Sequence, residues 1–354
     1  MSKFFSKKYE KLIPYTPGEQ PQDMQYIKLN TNESPFPPHP EVAQAVAGEI
    51  DKLRLYSDPD SKTLTALLAR QLGVDTDQVM LTNGSDDVLN FAFMAFCDQD
   101  NPAIFPDITY GFYKVFAEVN GVPYEQIPLK EDFSVDIADY CNAGKTIFIA
   151  NPNAPTGIAL TRNQVEEIVK SNPDNVVVID EAYVDFGGES AVPLLKKYDN
   201  LLVVQTFSKS RSMAGARLGM AIGSKAIIGD LNTLRYSTNP YNINRMTAAA
   251  GVATLQNDDY TKRNCQTIME NRAWTVKELK ALGFTLTDSK ANFLFAKHPS
   301  IDGKSLYQKL KSRGILVRHF DKARISDYVR ITVGTLEEMQ ALITTIGGIL
   351  EETK

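Results

Sequence analysis

Val176, Val177, Val178 and Ile179 form the stretch that most constrains the fold. Four consecutive β-branched residues cannot present one apolar and one polar face at a period of two. They suit a strand buried on both sides, as in a parallel sheet covered by helices. The neighbouring segments agree. Strand-like runs at 79–81, 103–105, 146–150, 201–207 and 218–222 alternate with helical patterns at 40–53, 61–72, 86–97, 110–120 and 165–170. This alternation predicts an α/β domain whose mostly parallel sheet lies between helices. After Pro240 the pattern changes. Helices are expected at 247–255, 260–282, 305–312 and 336–350, and strands at 293–296, 315–318 and 329–333, which describes a smaller α+β domain. The first 40 residues, with prolines at 14, 17, 21, 35, 37, 38 and 40, read as an extended arm that also joins the small domain. The expected division is therefore 1–40, 41–240 for the large domain, and 241–354 for the small one.

Composition narrows the function classes. A net charge of -5 over 354 residues gives no electrostatic footprint for nucleic acid. No apolar run reaches the length of about 18 residues needed to cross a membrane. The start carries Lys3, Lys7 and Lys8 with no apolar stretch behind them, unlike a secretory leader. Cys97, Cys141 and Cys265, like His39, His298 and His319, are scattered without metal-site or disulfide spacing. A cytoplasmic protein without a metal is expected.

Ligands of open α/β sheets bind at the carboxyl ends of the strands, and the chemistry-bearing residues fall there. Lys209 follows the 201–207 run among Thr206, Ser208 and Ser210, with Arg217 eight residues on. Desolvation or a nearby cation would make such a lysine a nucleophile, and hydroxyls with an arginine make a phosphate cradle. Taken alone, Lys209 also fits a solvated loop. Asp180 ends the β-branched run, where it could hold a protonated ring nitrogen or merely cap a helix. Tyr183 follows one turn later. Gly84 and Ser85 precede a helix, a natural anion site, and Asp86 starts that helix as a possible cap. Tyr110 could stack on a ring or simply pack.

The order Gly84-Ser85-Asp86, Tyr110, Asn151-Pro152-Asn153-Ala154-Pro155-Thr156-Gly157, Asp180-Glu181-Ala182-Tyr183, Ser208-Lys209 and Arg217 resembles the aspartate-aminotransferase-like, fold-type I enzymes that use pyridoxal 5′-phosphate. With Leu29-Asn30-Thr31-Asn32-Glu33-Ser34-Pro35, Tyr56 and Arg330 added, the chain is most similar to the histidinol-phosphate aminotransferase family. The resemblance implies that Lys209 carries the cofactor and shuttles a proton. It implies that Asp180 pairs with the pyridine nitrogen and that Tyr183 bonds the ring oxygen. Ser85, Thr206, Ser208 and Arg217 would hold the phosphate, and Tyr110 would stack on the ring. Tyr56 would reach the neighbouring subunit's cofactor in a homodimer. Arg330 would clamp a carboxylate and Arg318 a substrate phosphate, beneath an arm, 12–18, that includes Tyr15. The implied reaction transfers an amino group from a phosphorylated amino alcohol, histidinol phosphate, to 2-oxoglutarate, giving glutamate. Aromatic aminotransferases and a threonine-phosphate decarboxylase share parts of these segments. One departure stands out. The family's Asn-Pro-x-Asn-Pro-Thr-Gly has Ala154 here at its second asparagine, and Asn153 is expected to take over the bond to the ring oxygen.

Two other readings rank low. A DNA-linked regulator of the same fold would carry a basic helix-turn-helix segment, and a nucleotide-binding protein would carry GxGxxG or GxxxxGK[ST]. Neither pattern occurs in this chain.

Overall fold

A computed structural model of the chain describes residues 2–352. The chain enters through a short strand, β1 (Ile27–Lys28), and two helices, α1 (Pro40–Ala47) and α2 (Lys62–Leu72). Seven strands then build one sheet: β2 (Val79–Thr82), β3 (Ala103–Pro106), β4 (Tyr124–Ile127), β5 (Thr146–Ala150), β6 (Val177–Asp180), β7 (Leu201–Thr206) and β8 (Gly219–Gly223). Their order is β2-β8-β7-β6-β5-β3-β4, and only β8 runs antiparallel to its neighbours. Helices α3 (Ser85–Phe96), α4 (Phe112–Asn120) and α5 (Arg162–Ser171) connect these strands, α6 (Lys225–Thr238) follows the last of them, and together they cover the sheet.

The β-branched run behaves as its composition dictates. Val177 and Ile179 enter one apolar cluster with Val165 and Ile168 of α5, while Val178 enters the opposite cluster with Val88 and Leu89 of α3. Side chains alternate across a strand, so a strand that is apolar throughout needs a core on each face.

The remaining helices are α7 (Arg245–Gln256), α8 (Asp258–Ala281), α9 (Gly303–Ser312) and α10 (Leu336–Glu351). Strands β9 (Thr285–Leu286), β10 (Phe293–Lys297), β12 (Arg318–His319) and β13 (Val329–Thr332) form an antiparallel sheet, while β11 (Ile315–Leu316) pairs in parallel with β1. The single strand expected at 315–318 is thus two, with Val317 crossing from one sheet to the other. A third cluster, with Leu294, Val329, Ile331, Leu342 and Ile346, fills this part, and Leu29 of the amino-terminal segment joins it.

The expected boundary at 241 does not coincide with a division of the core. Ile243, Ala250, Ala253 and Leu255 lie in the same cluster as the large sheet, so α7 packs with the large layer. The helix expected over 40–53 closes at Gly48 and gives way to a single tight turn at Ile50–Lys52. Among the described residues, no helix is long and apolar enough to cross a membrane.

Candidate active site

Strands β5, β6 and β7 run in parallel, with Ala150 opposite Asp180 and Asp180 opposite Val204. Their carboxyl ends therefore open side by side. A cavity of about 210 Å³ lies there, lined by Ser85, Asp86, Tyr110, Asp180, Tyr183, Thr206, Ser208, Lys209 and Arg217, together with Ala154. Residues as far apart in sequence as Ser85 and Arg217 are thus gathered, most of them on the segments that leave these strand ends or on the start of α3.

One end of the cavity is rich in donors. Ser208 donates its backbone N–H to Thr206 Oγ1 at 3.1 Å, and the Thr206 hydroxyl donates to Ser208 Oγ at 3.0 Å. Arg217 reaches Ser208 Oγ at 3.4 Å and Asp86 at 3.2 Å. Helix α3 begins beside them at Ser85, adding free backbone N–H groups and the positive end of its dipole. Gly84 is required at this turn. Its φ is +80°, and a Cβ there would lie 2.3 Å from the Arg217 guanidinium. Asp86 lines the cavity, but its oxygens are occupied: it accepts from the Tyr110 hydroxyl at 2.8 Å as well as from Arg217. It fixes the tyrosine and the arginine in place.

The other end holds Asp180, which is buried. It accepts from the Tyr113 hydroxyl at 3.0 Å and from the Ala182 backbone N–H at 3.2 Å. Burial pushes its carboxyl up to about 6, against the pull of these two donors. No cation pairs with it among the described residues. Lys209 stands between the two ends. Its Nζ donates to the Thr31 carbonyl at 3.1 Å and lies 5.8 Å from the Tyr183 ring centre. Burial, helped by the charge of Arg330, brings its amine down to about 8.

A second cavity of about 400 Å³ opens onto Lys209, Tyr183, Tyr110 and Ala154 from the outside. Tyr15, Arg318 and Arg330 line it. Arg318 and Arg330 are direct partners across β12 and β13 and so share one face. Arg330 donates to the Asn30 carbonyl at 3.0 Å, while its buried Nε has no hydrogen-bond partner among the described residues. Arg318 donates to the Thr16 and Pro17 carbonyls, each at 3.2 Å. Tyr15 stacks on Phe112 at 4.2 Å, which draws the arm over the opening.

Two expected residues are placed differently. Asn153 does not line the cofactor-sized cavity. Its amide donates to the Ile108 carbonyl and Thr156 Oγ1 and accepts from Thr109, so it is committed to the loop. The residue that faces the cavity is Ala154. Tyr56 lines neither of these two cavities; it is largely exposed and stacked on Tyr241 at 4.5 Å. Two contributors went unrecognised in the sequence. Tyr113 sits one residue past Phe112 in the segment that holds Tyr110, and its helical position directs its hydroxyl to Asp180. Asn32 donates to the Tyr183 hydroxyl at 3.0 Å.

The family model for aminotransferase class I and II matches residues 24–346. The chain belongs to that family. It is a pyridoxal phosphate-dependent transaminase. This aminotransferase is 49% identical to the histidinol-phosphate aminotransferase of Brachyspira hyodysenteriae, over 99% of this chain and 100% of that one. It is 47% identical to that of Acinetobacter baumannii, over 97% and 96%. Its fold matches the crystal structure of histidinol-phosphate aminotransferase from Sinorhizobium meliloti in complex with pyridoxal 5′-phosphate, with a TM-score of 0.90, covering 100% of this chain and 99% of that one at 22% identity.

The aminotransferase's own residues fit the cofactor. A donor-rich end walled by a glycine suits a phosphate, and a buried carboxylate without a cation suits a protonated ring nitrogen. A lysine amine held near neutrality lies between them.

Proposed function

We propose that this aminotransferase moves the amino group of histidinol phosphate to 2-oxoglutarate, forming imidazole acetol phosphate and glutamate, and works as a homodimer. The observation that carries the substrate reading is the pair of guanidiniums, Arg318 and Arg330, facing one cavity that opens onto Lys209. Two arginine forks on one wall suit substrates that bring a phosphate in one half-reaction and two carboxylates in the other.

When bound, pyridoxal phosphate supplies an electron sink for the carbon that bears the amino group. Ser85, Thr206, Ser208 and Arg217 hold its phosphate, and Tyr110 covers one face of its ring. Asp180 keeps a proton on the ring nitrogen, and Tyr113 and the Ala182 N–H hold Asp180 as an acceptor. Tyr183 donates to the ring oxygen. Lys209 would hold the cofactor covalently, and its free amine would take the proton from the amino-bearing carbon of the substrate. The Thr31 carbonyl is where its resulting ammonium rests. Arg330 grips a carboxylate of glutamate, and Arg318 grips the phosphate in one half-reaction and the second carboxylate in the other. The arm carrying Tyr15 keeps water out. Tyr56, turned away from its own cavity, serves the partner's cofactor phosphate.

A half-reaction screen tests this directly. The loaded enzyme is mixed with histidinol phosphate, phenylalanine, aspartate or threonine phosphate, and the change in cofactor absorbance is followed. Fastest reaction with histidinol phosphate is expected. A preference for phenylalanine would leave a general aminotransferase, and carbon dioxide release from threonine phosphate would make the chain a decarboxylase. The homodimer is tested by mixing inactive Tyr56→Phe and Lys209→Ala subunits. A shared site predicts that mixed dimers recover activity, because one of their two sites escapes both substitutions.

A further inference from the structure

Asn32 is a buried polar residue with an unusual backbone, at φ +57°. Left-handed asparagine is tolerated where the surroundings determine it, and here they do. The Asn32 backbone N–H donates to Thr332 Oγ1 at 2.9 Å. The Thr332 hydroxyl donates to Asn32 Oδ1 at 3.1 Å. Asn292 donates to the Asn32 carbonyl at 3.0 Å. With Oδ1 occupied by Thr332, the Asn32 amide group is turned toward Tyr183 and donates to its hydroxyl oxygen at 3.0 Å. Tyr183 makes no other side-chain hydrogen bond among the described residues. Its ring is fixed edge-on against Phe293 at 5.0 Å and 89°, and it lines both cavities.

We infer that Asn32 is a positioning residue that makes Tyr183 a one-way donor into the cofactor cavity, aimed at the ring oxygen of bound pyridoxal phosphate. The inference rests on the role given to Tyr183 above. A hydroxyl has one proton. Once its oxygen receives the Asn32 N–H, that proton is directed elsewhere, and a hydroxyl that accepts a hydrogen bond donates a stronger one. Ala154 brings only a methyl group to the same cavity, so the ring oxygen gains no amide donor from that position. The strength of the Tyr183 donor then carries more of the effect.

The readout is the visible-absorbance titration of the loaded enzyme, which is separate from turnover. A donor at the ring oxygen stabilises its anionic form and weakens its hold on the proton shared with the lysine-linked nitrogen. Loss of the donor therefore raises the titration midpoint. Tyr183→Phe is the reference, with the midpoint expected to rise by about one pH unit or more. Asn32→Ala is expected to raise it by about half to one unit, the worth of one hydrogen bond. Asn32→Asp should raise it at least as far as Tyr183→Phe, because a carboxylate draws the Tyr183 proton to itself. On the Tyr183→Phe background, Asn32→Ala should add nothing. Thr332→Val loosens Asn32 without altering Tyr183. It should give a smaller rise and serves if Asn32→Ala does not fold. Wild-type midpoints in Asn32→Ala and Thr332→Val overturn the inference alone. So does a full Asn32→Ala rise in the absence of the Tyr183 hydroxyl. A Tyr183→Phe midpoint equal to wild type overturns both the inference and the role of Tyr183.

Discussion

Lys209, Asp180 and Thr206 stand at or just beyond the ends of strands whose faces are both buried, whereas Tyr15, Thr16 and Pro17 belong to a segment, 13–26, without helix or strand. The two groups meet in adjoining cavities but are held by different forces. The inner group is placed by ladder hydrogen bonds and close packing, which leave little freedom. The outer group is placed by ring contacts of Tyr15 with Phe112 and Tyr110 and by two hydrogen bonds from Arg318. On the proposed function, chemistry that any amino-acid substrate shares lies in the first group, and the second closes over the substrate.

Removing the residue most deeply committed to the inner group should break it outright. Lys209→Ala should lower turnover by more than about ten-thousandfold, since nucleophile and proton carrier are lost together. The phosphate end remains, so pyridoxal phosphate should still bind without a covalent link. Borohydride reduction of the wild type followed by peptide mapping should put the label on Lys209, and a label on another lysine would remove it from its role.

Asp180→Asn should come next. The neutral amide no longer keeps a proton on the ring nitrogen, so the electron sink weakens; at about 3–5 kcal/mol, the cost of a broken buried charge pair, the chemical step falls roughly a hundred- to a few-thousandfold. Thermal melting of the ligand-free variant should stay close to wild type, because Asp180 forms no ion pair among the described residues and an amide oxygen can still accept from Tyr113 and Ala182. Near-normal single-turnover rates would reduce Asp180 to a helix cap.

The two arginines sharpen the contrast between core and roof. Arg330→Ala should weaken glutamate and 2-oxoglutarate about ten- to a hundredfold while affecting histidinol phosphate little. Arg318→Ala should weaken histidinol phosphate by a similar factor. Half-reaction efficiencies for both substrates in both variants give the answer, and equal losses across all four would dissolve the division of labour.

The smallest expected effect is a pH shift. Only the neutral amine of Lys209 attacks the cofactor aldehyde. With its folded-state value lowered from 10.5 to about 8, the rate of covalent loading of the ligand-free enzyme should rise with pH, pass half-maximum near 8 and level off above it. Arg330→Ala removes a charge that helps lower that value, so the midpoint should move upward. A loading rate still climbing beyond pH 10 would show an unperturbed amine.

Much of this was legible in the sequence where a residue's own position declares its role. Asp180 and Lys209 follow apolar runs and Arg217 directly precedes one, and strand ends are where open sheets bind ligands. Strand β4 was missed because Tyr124-Glu125-Gln126-Ile127 is a half-exposed edge strand with polar residues in its middle. Helix α6 was missed because its exposed face carries the poor helix formers Gly229, Thr233 and Ser237 and its buried face includes the charged Arg235. Tyr113 and Asn32 were hidden for another reason. Each acts through a partner far away in sequence, 67 residues from Tyr113 to Asp180 and 151 from Asn32 to Tyr183. Asn153 misled because side-chain type was visible and direction was not. The turn points Ala154 inward and binds the Asn153 amide to its own loop.

The crowding around Gly84 has a consequence for how such a chain can change over generations. A Cβ on Gly84 would strike Arg217, and a Cβ on Gly219 would come within 2.3 Å of the Gly84 backbone. Neither position can accept a side chain first and wait for the other to adjust, because the obstacle to change at Gly219 is main chain and cannot be mutated away. At the outer cavity the tight contacts are with side chains: a Cβ on Gly18 would come within 2.5 Å of Thr31 Cγ2, an obstacle that a change at Thr31 can remove, so variation there can be met by its neighbours while the phosphate end cannot yield.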